Sequence, residues 1–379
     1  FLLSKPISSC RILFLDSFII SSARLSEFLT GTKTPFLPFT ISLQPGTSVV
    51  IIGRPQEAAS NNDFGKPSWY DGRTTTFDEA IEQIDIGGPS MLRSAAKNYK
   101  FVTVLTDVSD YDLVINEIVE FGDTTLETKK ALSAKVFRLT AQYDSYISNY
   151  LTKELDIEFP ESLTLTYEYH QPLRYGENPH QNAALYKSSD SPYSLLKAEI
   201  LNGKPLSYNN IQDANSALNI LKEHSIPTAV GLKHMNPCGV GSADTIEEAY
   251  TKAHASDPVS IFGGIIALNR EVSIELATEM NKTFLEIIIA PSYTKEALEV
   301  LKKKKNLRVL LLDTNANNTD PYQVVSVNGG LLFQNTDSYL VPIEELEVVT
   351  TLKPSEEEFK DLYFAWKVVK HVKSNAIVI

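Results

Sequence analysis

Cysteine is nearly absent from this sequence. Its 379 residues hold two, Cys10 and Cys238, too few for a disulfide framework, and such usage fits a reducing cytoplasm. Positive charge is also short: 35 Lys and Arg against 47 Asp and Glu leave a formal net charge of -12. That sign disfavours nucleic acid as a partner, because phosphates need a basic surface. An anionic small ligand would need a few cations placed in a pocket. No apolar run reaches the ~20 residues of a membrane span, so no membrane partner is expected. The stretch ILFLDSFII resembles the apolar part of an export signal, but Asp16 interrupts it and no small-residue cleavage pattern is clear.

Zinc ligands are missing too. Nucleobase deaminases carry P-C-x-x-C together with H-x-E. Here Pro237-Cys238 is followed by Gly239, Val240 and Gly241, and none of the six histidines has Glu two residues on. The ligand count is too low for zinc, and no metal is expected.

What is present points to a folded α/β protein. Hydrophobic residues make up 43% and charged residues 22%, which fits cores and argues against disorder. The length suggests two domains, with three possible. Residues 1–75 stand apart: they are rich in Ser, Thr, Phe and Pro, with one strand expected at SVVIIG (48–53) and turn chemistry at 61–72. From Thr76 onward helices and strands alternate. Short helices are expected at FDEAIEQI and SMLRSAAKN, a strand at FVTVLTD (101–107), and a helix in SDYDLVINEIVEFG. A long helix is expected over 126–154, with Leu132, Val136, Leu139 and Tyr143 on one apolar face. The extended segment 156–172, with prolines near both ends, reads as a linker.

Alternation resumes after it. A helix at 211–224 has Ile211, Ala214, Leu218 and Leu221 on one face. TAVGLKH (228–234) is a strand and TIEEAYTKAHA a helix; 259–268, 285–291 and 307–313 read as doubly covered apolar strands. A capping box, Ser355 to Glu358, opens the last helix. The run Lys302 to Lys305 reads as a solvated helix end. The sequence starts at Phe1 without Met and stops inside SNAIVI, which reads as a buried strand, so both ends are expected to be cuts in a longer chain.

Four segments carry chemistry. In IDIGGPS (84–90), Gly87 and Gly88 precede an expected helix start, where free N–H groups and the dipole favour an anion. Asp85 lies just before them, and Arg93 and Lys97 share a helix face. An ordinary turn before a helix with solvated cations would look the same. LRYGENPHQ (173–181) offers the planar fork of Arg174 and the stacking face of Tyr175, or simply a surface loop. In GLKHMNPCGVG (231–241) a strand ends in Lys233 and His234, and a Gly-rich turn is expected to lead into a helix. Histidine moves protons near neutrality and lysine stabilises developing negative charge. Neighbours on a strand face opposite ways, so both serve one site only if the chain turns there, as the Asn-Pro step suggests. The fourth group is looser: Asp257 to Gly264, Glu286, and Lys373-Ser374-Asn375.

Read together, these segments resemble the bifunctional purine biosynthesis proteins. They run in the family's order from about Thr74 to Ile379, with LNGKPLSYNNIQDANSAL, DPVSIFGGIIALN, LEIIIAP and KSNAIV completing the series. The resemblance implies a methylglyoxal-synthase-like domain that closes the purine ring, partial here (76–155). It implies a formyltransferase domain (173–379) of two cytidine-deaminase-like subdomains without zinc, cut at its C-terminus. The implied reaction takes a formyl group from 10-formyltetrahydrofolate to aminoimidazole carboxamide ribonucleotide, followed by ring closure to IMP, in a cytoplasmic homodimer.

By motif, Lys233 and His234 match the family's catalytic pair and Asn375 an orienting asparagine. Arg174 and Tyr175 match nucleotide-holding residues. Asn210, Phe262, Gly263 and Glu286 match positions lining the substrate and folate pocket. Asp85 and Lys97 match cyclohydrolase residues, with Gly87 and Gly88 beside them. The family's opening segments of the types SVSDKT, GRVKTLHP and NLYPF do not occur in residues 1–75. The alternative is therefore a catalytically impaired nucleotide-binding remnant of the same fold.

Overall fold

The computed structural model describes residues 39–44, 47–51, 76–188, 194–315 and 320–379, with the backbone alone for those before residue 76. The turn-rich segment 61–72 lies outside the described residues. The chain divides into two compact units, Phe1–Thr166 and Tyr167–Ile379. The boundary falls within the stretch 156–172, and the last five residues of that stretch already belong to a strand.

In the first unit, β1 (Phe39–Gln44) and β2 (Thr47–Ile51) pair antiparallel, and β2 pairs parallel with β3 (Val102–Leu105). β2 is the strand expected at SVVIIG; β1 had no clear sequence signal. The helices of this unit among the described residues are α1 (Phe77–Glu82), α2 (Gly87–Lys97), α3 (Tyr111–Phe121) and α4 (Leu126–Glu154). α4 has the bounds its periodicity predicts. Leu132, Val136 and Tyr143 are buried, and Leu139 is only half-buried because the adjacent Thr140 takes the inner place, accepting from Arg93 Nη1 at 3.3 Å. Val136 packs with Leu92, Ala95, Ala96, Val102 and Val104, joining α4 to α2 and β3.

The second unit opens with a hairpin of β4 (Glu168–Leu173) and β5 (Ala183–Lys187). Then come β6 (Glu199–Asn202), α5 (Tyr208–Leu221), β7 (Thr228–Lys233), β8 (Asn236–Ser242), α6 (Ile246–Ser256), β9 (Gly264–Leu268), α7 (Ile274–Met280), β10 (Leu285–Ala290), α8 (Lys295–Leu301) and β11 (Arg308–Leu311). The six strands form one mixed sheet in the order β6-β11-β10-β9-β7-β8. β9, β10 and β11 are parallel; β7 runs antiparallel to β9, and the edge strands β8 and β6 are antiparallel to their neighbours.

Side-chain alternation sorts this sheet into two cores. Val230, Leu232, Ile265, Ala267, Ile287 and Ile289 face α5. Ala229, Ile266, Leu268, Ile288 and Ala290 face α6, α7 and α8. Both faces are covered, so the central strands read as continuous apolar runs. A second hairpin, β12 (Tyr322–Val327) with β13 (Gly330–Asn335), and helix α9 (Glu356–Val369) follow. α9 starts with the expected capping box: Glu358 Oε2 accepts from Ser355 N at 2.7 Å.

Four expectations are corrected. The segment after Lys233 leads into β8 rather than through a Gly-rich turn into a helix. Its glycines face α6 instead of a ligand: a Cβ on Gly239 would lie 2.1 Å from the Ala253 carbonyl oxygen, and one on Gly241 2.2 Å from that of Ala249. They are there because the helix crosses the strand at backbone contact. The strand expected at 259–268 begins only at Gly264, because Asp257 Oδ1 accepts from Val259 N and Ser260 N and winds the chain into turns. The run Lys302–Lys305 is not wholly solvated: Lys304 Nζ donates to the carbonyls of Asn281 and Thr283 at 2.6 and 2.9 Å. SNAIVI forms no strand and has no strand partner among the described residues, and Ile377 is 86% exposed.

Two outcomes are expected. Gly241→Ala should overpack the β8–α6 contact and cost about 1–3 kcal/mol, read as a lower urea midpoint; an unchanged midpoint would contradict the packing argument. The second concerns His224, 7% exposed at the end of α5, with its ring 5.1 Å from that of Phe364. Burial, aided by the charge of Lys367, pushes its pKa from 6.5 down to about 4. The unfolded chain binds the extra proton between those values, so this contribution is complete above pH 6.5 and is lost as pH falls toward 4. Relative to His224→Phe, the wild type should lose stability over that window; a difference independent of pH would exclude the buried neutral imidazole.

Candidate functional site

Three strand ends meet in the second unit: the carboxyl end of β7 and the amino ends of β9 and β10. Lys233, the last residue of β7, sends Nζ to the Phe262 carbonyl at 2.8 Å. The Phe262-Gly263 loop is tied in turn to the chain entering β10, with Gly263 N donating to the Phe284 carbonyl at 2.7 Å. Gly263 has φ +75, and a Cβ there would come 3.6 Å from the Phe284 ring and 3.9 Å from Lys233 Nζ. The rings of Phe262 and Phe284, 58% and 48% exposed, stand 5.3 Å apart. Tilted at 48° to each other, they form an apolar ledge beside a cation.

Glu286 follows on β10. Its Oε2 accepts from Asn210 Nδ2 at 2.9 Å and lies 3.8 Å from Arg308 Nη1. Asn210 is buried at the third position of α5, where its Oδ1 also accepts from Ser207 N at 3.2 Å. The same amide therefore caps the helix and orients the carboxylate. Next to it, Asn209 Nδ2 donates to the Glu177 carbonyl at 3.4 Å, which brings the 174–181 loop to the start of α5. That loop is closed from within: Gly176 N donates to the Gln181 carbonyl at 2.9 Å, and Asn178 N to Gln181 Oε1 at 2.7 Å. Arg174 is exposed, with its guanidinium 4.8 Å from the Tyr175 ring centre.

The chain turns at His234 and Met235, one step before the Asn-Pro pair. Both residues are left-handed, with φ 56 and 62. Two consecutive positive φ angles make the two-residue link that matches the twist of paired strands, usually built from Asn and Gly. His234 is exposed on this turn. Asp213 Oδ1, from α5, accepts from Met235 N at 2.8 Å. Burial pushes the Asp213 carboxyl above its usual range, and hydrogen bonds from the Met235 and His234 backbone oppose that. Burial, aided by the negative charge of Asp257, pushes the Cys238 thiol up and favours its protonated form, while the charge of Lys233 pulls the other way. Asp213 and Phe284 were not legible as site residues. The available signal was the spacing of Asn210 and Asp213, three apart on one helix face.

Asn375 lies exposed beyond α9, and among the described residues no hydrogen bond joins it to Lys233 or His234. The end of α9 is anchored elsewhere: Lys370 Nζ and His371 Nε2 reach Glu223 Oε1 at 3.1 and 2.9 Å.

In the first unit the expected anion pocket is altered. Gly87 and Gly88 form the first turn of α2 rather than a loop before it. Asp85 Oδ1 accepts from Gly88 N at 2.9 Å, and Asp85 N donates to Tyr143 Oη at 2.8 Å. The chain's own carboxylate thus takes the helix N-terminus. Lys97 is the last residue of α2, on the order of 14 Å along the axis from Gly88, so Asp85 and Lys97 sit at opposite ends of the helix.

The sequence model of the AICARFT/IMPCHase bienzyme family matches residues 95–379. The chain belongs to this family. It is 58% identical over 305 residues to the bifunctional purine biosynthesis protein PurH of Lysinibacillus sphaericus (strain C3-41), covering 80% of this chain and 59% of that protein. It is 56% identical over 305 residues to the proteins of the same name from Anoxybacillus flavithermus (strain DSM 21510 / WK1) and Bacillus cereus (strain AH187), covering 80% of this chain and 60% of each. The chain thus spans about 60% of the length of these curated relatives. The bienzyme match includes Lys97 and every candidate residue of the second unit, while Asp85, Gly87 and Gly88 precede it.

Gly263→Ala should force a left-handed alanine against Phe284 and lower stability by about 1–2 kcal/mol. Thermal melting reads this, and an unshifted transition would show that the loop adapts.

Proposed function

We propose that the second unit carries the formyl-transfer chemistry of purine biosynthesis, with aminoimidazole carboxamide ribonucleotide as acceptor and 10-formyltetrahydrofolate as donor. The observation that carries this reading is the convergence of Lys233, His234, Asn210 and Glu286 beside the Phe262-Gly263 loop in a chain of the AICARFT/IMPCHase family. His234 accepts the proton as the acceptor's 5-amino nitrogen attacks the formyl carbon. Lys233 stabilises the oxyanion of the tetrahedral intermediate. The bond from the formyl carbon to the folate nitrogen then breaks, and that nitrogen takes a proton. Arg174 and Tyr175 hold the nucleotide, and the exposed Phe262 and Phe284 rings offer a planar heterocycle a stacking face. Asn375 orients the attacking amine in this scheme.

The proposal extends to the whole architecture. The first unit is part of a methylglyoxal-synthase-like cyclohydrolase (76–155), followed by a linker (156–172) and a cytidine-deaminase-like transferase (173–379). Ring closure to IMP belongs to the first part, with Asp85 and Lys97 as its site residues. The protein works as a cytoplasmic homodimer.

His234→Ala should lower formyl-transfer turnover by at least ~100-fold, the low end for loss of a general base. Turnover is followed with the aminoimidazole nucleotide and 10-formyltetrahydrofolate as substrates. Near-normal turnover in the variant removes His234 from the mechanism. Nucleotide binding without turnover by the unaltered chain identifies it as the impaired remnant.

A further inference from the structure

The His234-Met235 link is strained and carries an imidazole into solvent, so something must hold it. Glycine adopts the left-handed region at little cost, and asparagine, aspartate and histidine enter it more readily than other residues; methionine has no such ease, and two such residues in succession add their costs. Hydrogen bonding of β7 to β8 fixes where the link starts and ends, because Lys233 pairs with Asn236. It does not fix the peptide between the two central residues. One group from outside the hairpin does: Asp213 Oδ1 takes the Met235 N–H at 2.8 Å. Inside the hairpin, Asn236 Nδ2 adds a longer contact to the His234 carbonyl at 3.3 Å. Asp213 is itself fixed, since it lies one turn along α5 from Asn210, whose amide is bound to Glu286. The carboxylate is half-buried and projects from a rigid element.

We propose that Asp213 is a positioning residue. By binding the Met235 N–H it sets the left-handed turn, and so the direction of the His234 ring relative to Lys233 and Glu286. This rests on the formyl-transfer reading for its catalytic consequence. The geometric part stands alone. Asp213 touches neither the reacting atoms nor the substrate in this scheme; it acts through the turn.

Three variants separate geometry from charge. Asp213→Asn keeps an acceptor oxygen at the same reach and removes the charge. Asp213→Glu keeps the charge and displaces the acceptor by one methylene. Asp213→Ala removes both. Amide hydrogen exchange at Met235, read by nuclear magnetic resonance, should speed up by about 10-fold in the Ala and Glu variants and stay near wild type in Asn. kcat for formyl transfer should fall by roughly 100-fold in Ala and Glu, as for a misplaced catalytic group, with KM for the nucleotide little changed, and should recover in Asn.

Unchanged Met235 exchange in both Ala and Glu overturns the proposal. So does Glu behaving as wild type while Asn behaves as Ala, because charge rather than geometry would then be at work. If Ala fails to fold, the Asn and Glu pair still decides. If the unaltered chain shows no formyl transfer while exchange responds as expected, the functional reading fails and the turn-holding role survives.

Discussion

A two-residue link between twisted antiparallel strands needs positive φ at its first residue and, in one of its two common forms, at both. In this protein that constraint falls on His234 and Met235, at the end of a strand buried on both faces. The rest of the second unit is arranged around it. β7 is the point where the sheet changes from parallel to antiparallel neighbours, so its carboxyl end meets the amino ends of β9 and β10. Lys233 closes the gap to the β9 entry through the Phe262 carbonyl, and α5 supplies Asn210 and Asp213 from the opposite side. A non-glycine residue persists in such a conformation only when its surroundings over-determine it. Here strand pairing and a carboxylate from a helix both do so.

Elements with a strong period were legible in the sequence. α4 repeats its apolar residues at helical spacing over 29 residues, and its bounds could be read without tertiary information. β9, β10 and β11 are short apolar runs bounded by turn residues, and they form the parallel centre of the sheet. The errors fall where a long-range contact decides local structure. Gly239 and Gly241 suggest a ligand-binding turn when read alone; the presence of α6 directly above them makes them strand residues. Lys304 looks like one of four solvated cations until the loop at Asn281 and Thr283 offers it two carbonyls. The run of hydrophobic residues after Asn375 would suit a buried strand, but burial needs a neighbouring strand, and none of those described pairs with it.

The candidate site divides in the same way. Lys233, Gly263, Glu286 and Asn210 were identified by motif and are joined by hydrogen bonds or close approach in the fold. Asp213 was not, because an aspartate inside an amphipathic helix carries no mark of the strand turn it binds. In the first unit, Asp85 and the two glycines kept their proximity while their chemistry changed, since the carboxylate occupies the very N–H group that an external anion would use.

Exposure of the His234 ring has a kinetic meaning. Buried imidazoles, such as His224 beneath α9, exchange protons only when the surrounding structure opens. The His234 ring, held out on a solvent-facing turn, is open to molecules in solution without any part of the fold having to move aside.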